Sequence, residues 1–284
     1  MKRQQSFTNQ NPTLFLISTP IGNLEDMTFR AVNVLKSVDV CFAEDTRVTR
    51  VLFDHYGIQT KLECYQEHNK EHASLQILAY LEAGKNVGLV SDAGNPIISD
   101  PGFLISKMAI DKGYNVVPIP GASASLTALI ASGINASNFM FYGFLDSKSS
   151  KRKKELENLK NVSVTLIFYE APHRIKEMLE DLLEVFGNRN IALCRELTKK
   201  FEEFYRGTVE EVLEVIDTVK GEIVLICEGK KEDASEFSED NMIEQIDDLI
   251  LAGMNKNNAI KMVAKRMNID KQELYKKYIE EKTK

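Results

Sequence analysis

Residues 86–96 read Asn-Val-Gly-Leu-Val-Ser-Asp-Ala-Gly-Asn-Pro, an apolar run that stops at a carboxylate, a glycine and a proline. A short apolar run closed by turn formers describes a strand buried on both faces, as strands in parallel sheets are. Working outward, the same unit recurs. On the N-terminal side Leu14–Thr19 (LFLIST) runs into Pro20-Ile21-Gly22-Asn23, and Val40–Ala43 (VCFA) into Glu44-Asp45-Thr46-Arg47. Between them Met27, Ala31, Val34, Leu35 and Val38 recur at helical spacing. A helix is predicted from Thr46 to Tyr56, stopped by Gly57, and another through Leu75, Leu78 and Leu81, stopped by Gly84. On the C-terminal side a helix over 101–112, a strand over 115–119 and a helix over 122–132 continue the alternation. Strand–helix alternation predicts an α/β fold whose mostly parallel sheet is covered by helices. Ligands of such sheets sit beyond the carboxyl ends of the strands.

Past residue 132 the pattern loosens. Strands are predicted over 139–143, 164–169 (VTLIFY), 191–195, 203–207 and 222–228 (EIVLICE). Charged or amphipathic helices are predicted over 148–159, up to Phe186 and from Val209. A polar linker begins at Gly229, and the remainder is helical, with Met242, Ile246 and Leu249 on one face and Ala259, Met262, Val263 and Met267 on another. The expected organisation is a lead-in without order over 1–12, an N-terminal α/β domain over 13–120, a second, mixed-sheet α/β domain over 121–229, and a helical extension over 235–284. A chain of 284 residues is long enough to bury two cores.

Composition narrows the class. The chain is 43% hydrophobic and 27% charged, as ordinary soluble proteins are. No apolar run reaches the roughly 18 residues of a membrane span, and Met1–Pro12 lacks the apolar centre of a signal peptide. A cytoplasmic protein with no membrane partner is expected. Cys41, Cys194 and Cys227 lie in strand-like apolar stretches, where a free thiol acts as a small hydrophobe. Cys64, His68 and His72 share a fourfold spacing, but a zinc site needs a fourth ligand or an open position; a solvated helix start is the better reading, and no metal is expected. The net charge of −6 is unevenly spread. Residues 255–284 carry a local +5, including Lys261, Lys265 and Arg266, which leaves −11 on the rest. Lys151, Arg152, Lys153 and Lys154 form a second basic run. Such patches attract phosphates whatever the net charge, although solvated helix faces would look the same.

Three loops and one turn carry candidate chemistry. In Ser91–Pro96, Asp92 can accept hydrogen bonds and Gly94 lets backbone approach a ligand. Pro120-Gly-Ala-Ser-Ala-Ser125 presents small residues and free amides at a helix start. Neither loop matches the dinucleotide or phosphate-loop fingerprints. Glu44–Arg47, Glu170-Ala-Pro-His173-Arg174 and Arg195-Glu196-Leu-Thr-Lys199 place charges at strand ends. Helix capping explains part of this, but not His173 or Arg174.

In order, STPIGNLEDMTFRA, AEDTR, SDAGNPIISDPG, PGASASLTAL, TLIFYEAPHR, CRELTK and GEIVLICEG resemble the tetrapyrrole methylase-like (class III) methyltransferases. The first loop has the Thr-Pro-Ile-Gly-Asn-Leu form of the family's ribosomal branch rather than the glycine-richer form of its porphyrin branch. The resemblance implies a two-domain fold, S-adenosylmethionine in the cleft between the domains, and a homodimer. It also implies 2′-O-methylation of a cytidine ribose in the decoding region of 16S ribosomal RNA within the small ribosomal subunit. Matched position by position, it assigns the cofactor to Pro20, Gly22, Asn23, Asp92, Ala93, Gly94, Asn95, Ser123, Ala124 and Tyr169. A ribose hydroxyl is a poor nucleophile, so a base should take its proton. Glu44 and Glu170 lead the candidates, followed by Asp45, His173 and Glu196. Arg47, Arg174 and Arg195 are expected to hold phosphates. A same-fold enzyme acting on a tetrapyrrole and a non-catalytic RNA-binding protein are the competing readings.

Overall fold

The computed structural model describes residues 3–6, 8, 9, 11–216, 219–231, 242–251, 254–267 and 269–282. They form two compact units, Met1–Gly229 and Lys230–Lys284. The first unit holds two five-stranded sheets.

The first sheet comprises β1 (Thr13–Ile17), β2 (Val40–Ala43), β3 (Lys61–Cys64), β4 (Val87–Val90) and β5 (Asn115–Ile119), in the order β3-β2-β4-β1-β5. Every pairing is parallel, as the alternation predicts. Side chains alternate between faces. Val40, Phe42, Val87 and Leu89 pack with Ile77 and Leu81 of α3 (Lys70–Glu82) and with Ile105 of α4 (Phe103–Lys112). Cys41, Ala43, Val90 and Val117 pack on the other face with Leu35 of α1 (Phe29–Ser37) and Phe53 of α2 (Thr46–Tyr56). Helices on both faces leave only the strand ends for a ligand.

The second sheet comprises β6 (Phe139–Phe144), β7 (Thr165–Glu170), β8 (Asn190–Arg195), β9 (Glu203–Thr208) and β10 (Ile223–Cys227), in the order β6-β7-β10-β8-β9. Only β6–β7 is parallel, so the sheet is mixed. One face is covered by α6 (Ser149–Leu159), α7 (Ile175–Phe186) and α8 (Val209–Val215), through Leu156, Met178, Leu182 and Val212. The other packs on Ala128 and Leu129 of α5 (Ala124–Ala131) and on Ile21, which comes from the loop after β1. That single isoleucine ties the first sheet's loop into the second sheet's core.

Four expectations change. Lys61–Cys64 is a strand paired with β2, so Cys64 ends an edge strand rather than starting a helix. The supposed lead-in is engaged: the Gln4 side chain exchanges two hydrogen bonds with the backbone of Val116, 2.9 and 3.0 Å, imitating a strand at the open edge of β5. Met262, expected on a buried face, is exposed. Arg152, expected on an RNA-binding surface, is fully buried, with Nε 2.6 Å from Asp181 and a second pairing to Glu177 at 3.6 Å. Its stem and charge are enclosed where α6 meets α7. In the second unit α9 (Met242–Leu251), α10 (Lys256–Met267) and α11 (Lys271–Lys282) enclose Ile246, Ile260, Val263 and Leu274. The expected start of that extension at residue 235 and the side chain of Arg266 lie outside the described residues.

Removing one partner of a buried ion pair strands the other charge. Arg152→Ala is therefore expected to cost about 3–5 kcal/mol in chemical denaturation. Lys154→Ala on the exposed face of the same helix should stay within about 0.5 kcal/mol. Equal effects would refute the structural role of Arg152.

Candidate active site

At the carboxyl ends of β1 and β4, Thr19 and Gly94 form an antiparallel bridge. Thr19 N donates to Gly94 O (2.9 Å) and Gly94 N to Thr19 O (3.1 Å), while the Thr19 hydroxyl donates to Ser91 O. Gly94 has φ +76°, and a Cβ there would lie 3.4 Å from Ile21 Cγ2, so only glycine fits without strain. The Ser18 hydroxyl donates to Asn95 Oδ1 at 2.5 Å and fixes that side chain.

A cavity of about 580 Å³ opens beside this bridge, between the two sheets. This volume is in the range of small-molecule sites. Of the residues expected to bind a cofactor, Ala93, Gly94, Asn95, Ser123, Ala124 and Tyr169 line it. Pro20, Gly22, Asn23 and Asp92 do not. Asn23 caps a short turn by accepting from Glu25 N, and Asp92 accepts from Asp45 N at 2.9 Å, which joins the loops after β2 and β4. Asp100, Ile98, Phe144, Lys199 and Glu222 complete the wall. They stand inside or beside the motifs quoted above, but nothing local told that their side chains turn inward.

The loops around the cavity carry unusual backbone. Ile97 (φ +79°), Ser99 (+66°), Glu196 (+50°) and Thr198 (+68°) are the described non-glycine residues with positive φ. For a β-branched residue such as Ile97 this is a true outlier, of the kind that concentrates at functional sites.

Acids gather on the first sheet's side, where Asp100 lines the cavity and Glu44, Asp45 and Asp92 stand outside its lining. Burial raises the Glu44 carboxyl above its usual range, and the negative charges of Asp100, Asp92 and Asp45 add to the rise. Asp100 is raised by its own burial and by Asp92. Asp45 behaves oppositely: it caps α2 and binds Arg47 through both oxygens, which lowers it to about 2. On the opposite wall Glu170 is buried, with Oε1 accepting from Ala171 N (2.7 Å) and Oε2 from Arg174 (2.9 Å). His173 is exposed and outside the cavity lining. Glu196 lines the cavity and accepts from Lys199 Nζ at 3.0 Å. Arg195 pairs with Glu203 at 2.7 Å. Among the three arginines expected to hold phosphates, each already has a carboxylate partner.

The conserved-domain description Tetrapyrrole (Corrin/Porphyrin) Methylases matches residues 13–213. The chain belongs to that family. It is accordingly a methyltransferase. It is 49% identical to the ribosomal RNA small subunit methyltransferase I of Bacillus subtilis, with 98% of each chain covered. Its identity to the protein of the same name from Halalkalibacterium halodurans is 46%, covering 99% of this chain and 100% of that one. Two solved structures share the fold. A diphthine synthase aligns with a TM-score of 0.62 at 14% identity, over 79% of this chain and 93% of its own. A uroporphyrin-III-C-methyltransferase from Thermus thermophilus gives 0.56 at 18% identity, over 77% and 94%.

The acid cluster predicts a pH effect with a definite sign. A carboxyl raised on folding is bound more tightly to its proton in the native state, so stability falls as pH rises from the ordinary carboxylate range through the raised value. Asp100→Asn removes one repelling charge. The Glu44 pKa, followed by carboxyl NMR titration, should move down, and stability at neutral pH should rise. An unchanged Glu44 titration would disprove the coupling.

Proposed function

We propose that the chain transfers a methyl group from S-adenosylmethionine to small-subunit ribosomal RNA, at the 2′-hydroxyl of a cytidine in the decoding region of 16S RNA. The observation that carries this reading is the cavity at the carboxyl ends of a parallel sheet in a chain that matches small-subunit RNA methyltransferases end to end. The residues present fit the cofactor. The small residues Ala93 and Gly94 leave room for its polar end, Ile98, Phe144 and Tyr169 suit an adenine ring, and the carboxylate of Asp100 suits a cation. When bound, S-adenosylmethionine supplies a methyl group already activated by positive sulfur.

The chain's own contribution is alignment and proton removal. Holding the hydroxyl in line can supply roughly 7–11 kcal/mol of the barrier. Glu44 is the base we favour: it follows β2 at the carboxyl end of the parallel sheet, outside the lining of the cavity itself, and burial and neighbouring acids raise its pKa. Glu170 and Glu196 have oxygens already engaged by Arg174 and Lys199. Lys154, Lys261 and Lys265, all exposed, are proposed to meet RNA phosphates. A homodimer in the cytoplasm is part of the proposal: edge strand β6 exposes Phe139, Met140 and Tyr142, and uncovered apolar edges favour association. Among the described residues no helix is long and apolar enough to cross a membrane.

Tritium from labelled S-adenosylmethionine should enter purified small subunits and be recovered in a ribose-methylated cytidine. Glu44→Gln should lower kcat by about 10²–10⁴-fold. Label in porphyrin precursors instead of RNA would overturn the reading, and wild-type turnover in Glu44→Gln would overturn the base. Deleting Lys230–Lys284 should weaken subunit binding while leaving cofactor affinity unchanged; full binding by the truncated chain would remove that unit from RNA recognition.

A further inference from the structure

Lys199 sits in the loop after β8, yet its stem lies across Gly22 in the loop after β1. A Cβ at Gly22 would fall 2.5 Å from Lys199 Cγ and 2.8 Å from Cε, so the methylenes occupy the space a side chain would need. The ammonium ends between two carboxylates, 3.0 Å from Glu196 Oε1 and 3.0 Å from Glu222 Oε2. Glu196 is itself placed by an unusual backbone, φ +50°, and accepts from Glu222 N at 3.1 Å. A Cβ at Gly221 would collide with Glu196 Oε1, so a second glycine leaves room for the same cluster. Beside it, Ile21 is buried against Leu197 and Val224 in the second sheet's core. Ile21, Glu196, Lys199 and Glu222 all line the cavity.

An exposed lysine–glutamate pair contributes little and needs no glycines. Here two glycines from distant loops, both at positive φ (+148° at Gly22 and +90° at Gly221), leave space that one side-chain cluster fills, at the seam between the sheets and on the cavity wall. We propose that Lys199 is a positioning residue: its stem and its two ion pairs clamp the loop Thr19–Asn23 against the second sheet and so fix the width of the cofactor cavity. Through the Thr19–Gly94 bridge, the clamp sets where the Gly94 and Asn95 backbone stands. It touches no reacting atom in this role. The inference rests on the reading that the cavity takes S-adenosylmethionine.

The full-length chain tests it, with Lys199→Met, which keeps an unbranched stem without the charge, Lys199→Ala, which removes both, and Lys199→Arg, which keeps both. S-adenosylmethionine affinity is measured by calorimetry, kcat and KM by methyl transfer at saturating RNA, and folding by denaturation. Ångström-scale misplacement can cost up to about a hundredfold in rate. Lys199→Ala is therefore expected to lose about tenfold in affinity and at least tenfold in kcat, Lys199→Met less, and Lys199→Arg little. All three should remain folded at the assay temperature. Wild-type affinity and kcat in Lys199→Ala would overturn the clamp, as would a loss of stability with both constants unchanged. If the wild-type chain itself does not bind S-adenosylmethionine, the cofactor reading fails rather than the clamp.

Discussion

The two backbone hydrogen bonds between Thr19 and Gly94 tie together the loops after β1 and β4, and so fix the first sheet's side of the cavity. β1 and β4 are neighbours in a parallel sheet, and parallel strands deliver their following loops to the same end. Without a cross-link those loops would be free to part. The bridge extends the pairing past the strands in the opposite sense, turns the chain sharply, and brings Ile21 over Gly94. Gly94 takes the left-handed backbone that the turn needs, φ +76°, and Ile21 beside it reaches the second sheet's core.

Opposite electrostatic arrangements flank the cavity. On the first sheet's side acids repel one another, and Glu44 and Asp100 hold their protons more tightly than free carboxylates do. On the second sheet's side charges are matched: Arg174 with Glu170, and Lys199 with Glu196 and Glu222. Burial works against the Lys199 charge, but the two glutamates outweigh it and raise its pKa. The matched side is suited to hold shape, and the repelling side to accept a cation or a proton. Positive φ at Ile97 and Ser99 on one rim, and at Glu196 and Thr198 on the other, shows that both rims carry backbone strain.

What could be read in the sequence follows from how local each cause is. α2 was legible from Thr46 to Tyr56 because Asp45 caps its start and Gly57, in the left-handed region, ends it. The buried strands of the parallel sheet were legible because burial on both faces leaves a continuous apolar run. β3 was not: Lys-Leu-Glu-Cys alternates charge with apolar residues, and only pairing with β2 makes it a strand. Arg152 reads as one more surface cation in a basic run, and its burial depends on Asp181 in the next helix. The same limit applies to the site. Loops at strand ends were visible, and so were small residues such as Gly94 and Ala124. The inward turn of Asp100 and the crossing of Lys199 over Gly22 depend on contacts between distant segments.

The pairing of cations also bears on how an acidic chain could approach RNA. Arg47, Arg174 and Arg195 are neutralised by Asp45, Glu170 and Glu203, and Lys153 by Glu184. A guanidinium in such a pair must exchange one anion for another to meet a phosphate, so its net gain is small. Long-range attraction in the proposed function therefore falls to local excesses of positive charge, and residues 255–284 carry one of +5 in the sequence, although Lys277 and Lys282 are paired with Glu273 and Asp247. The body around the cavity then contributes shape and alignment, which act only at close range. In the proposed function the chemistry falls to one compact unit and the attraction is shared between Lys154 on that unit and the lysines of the other.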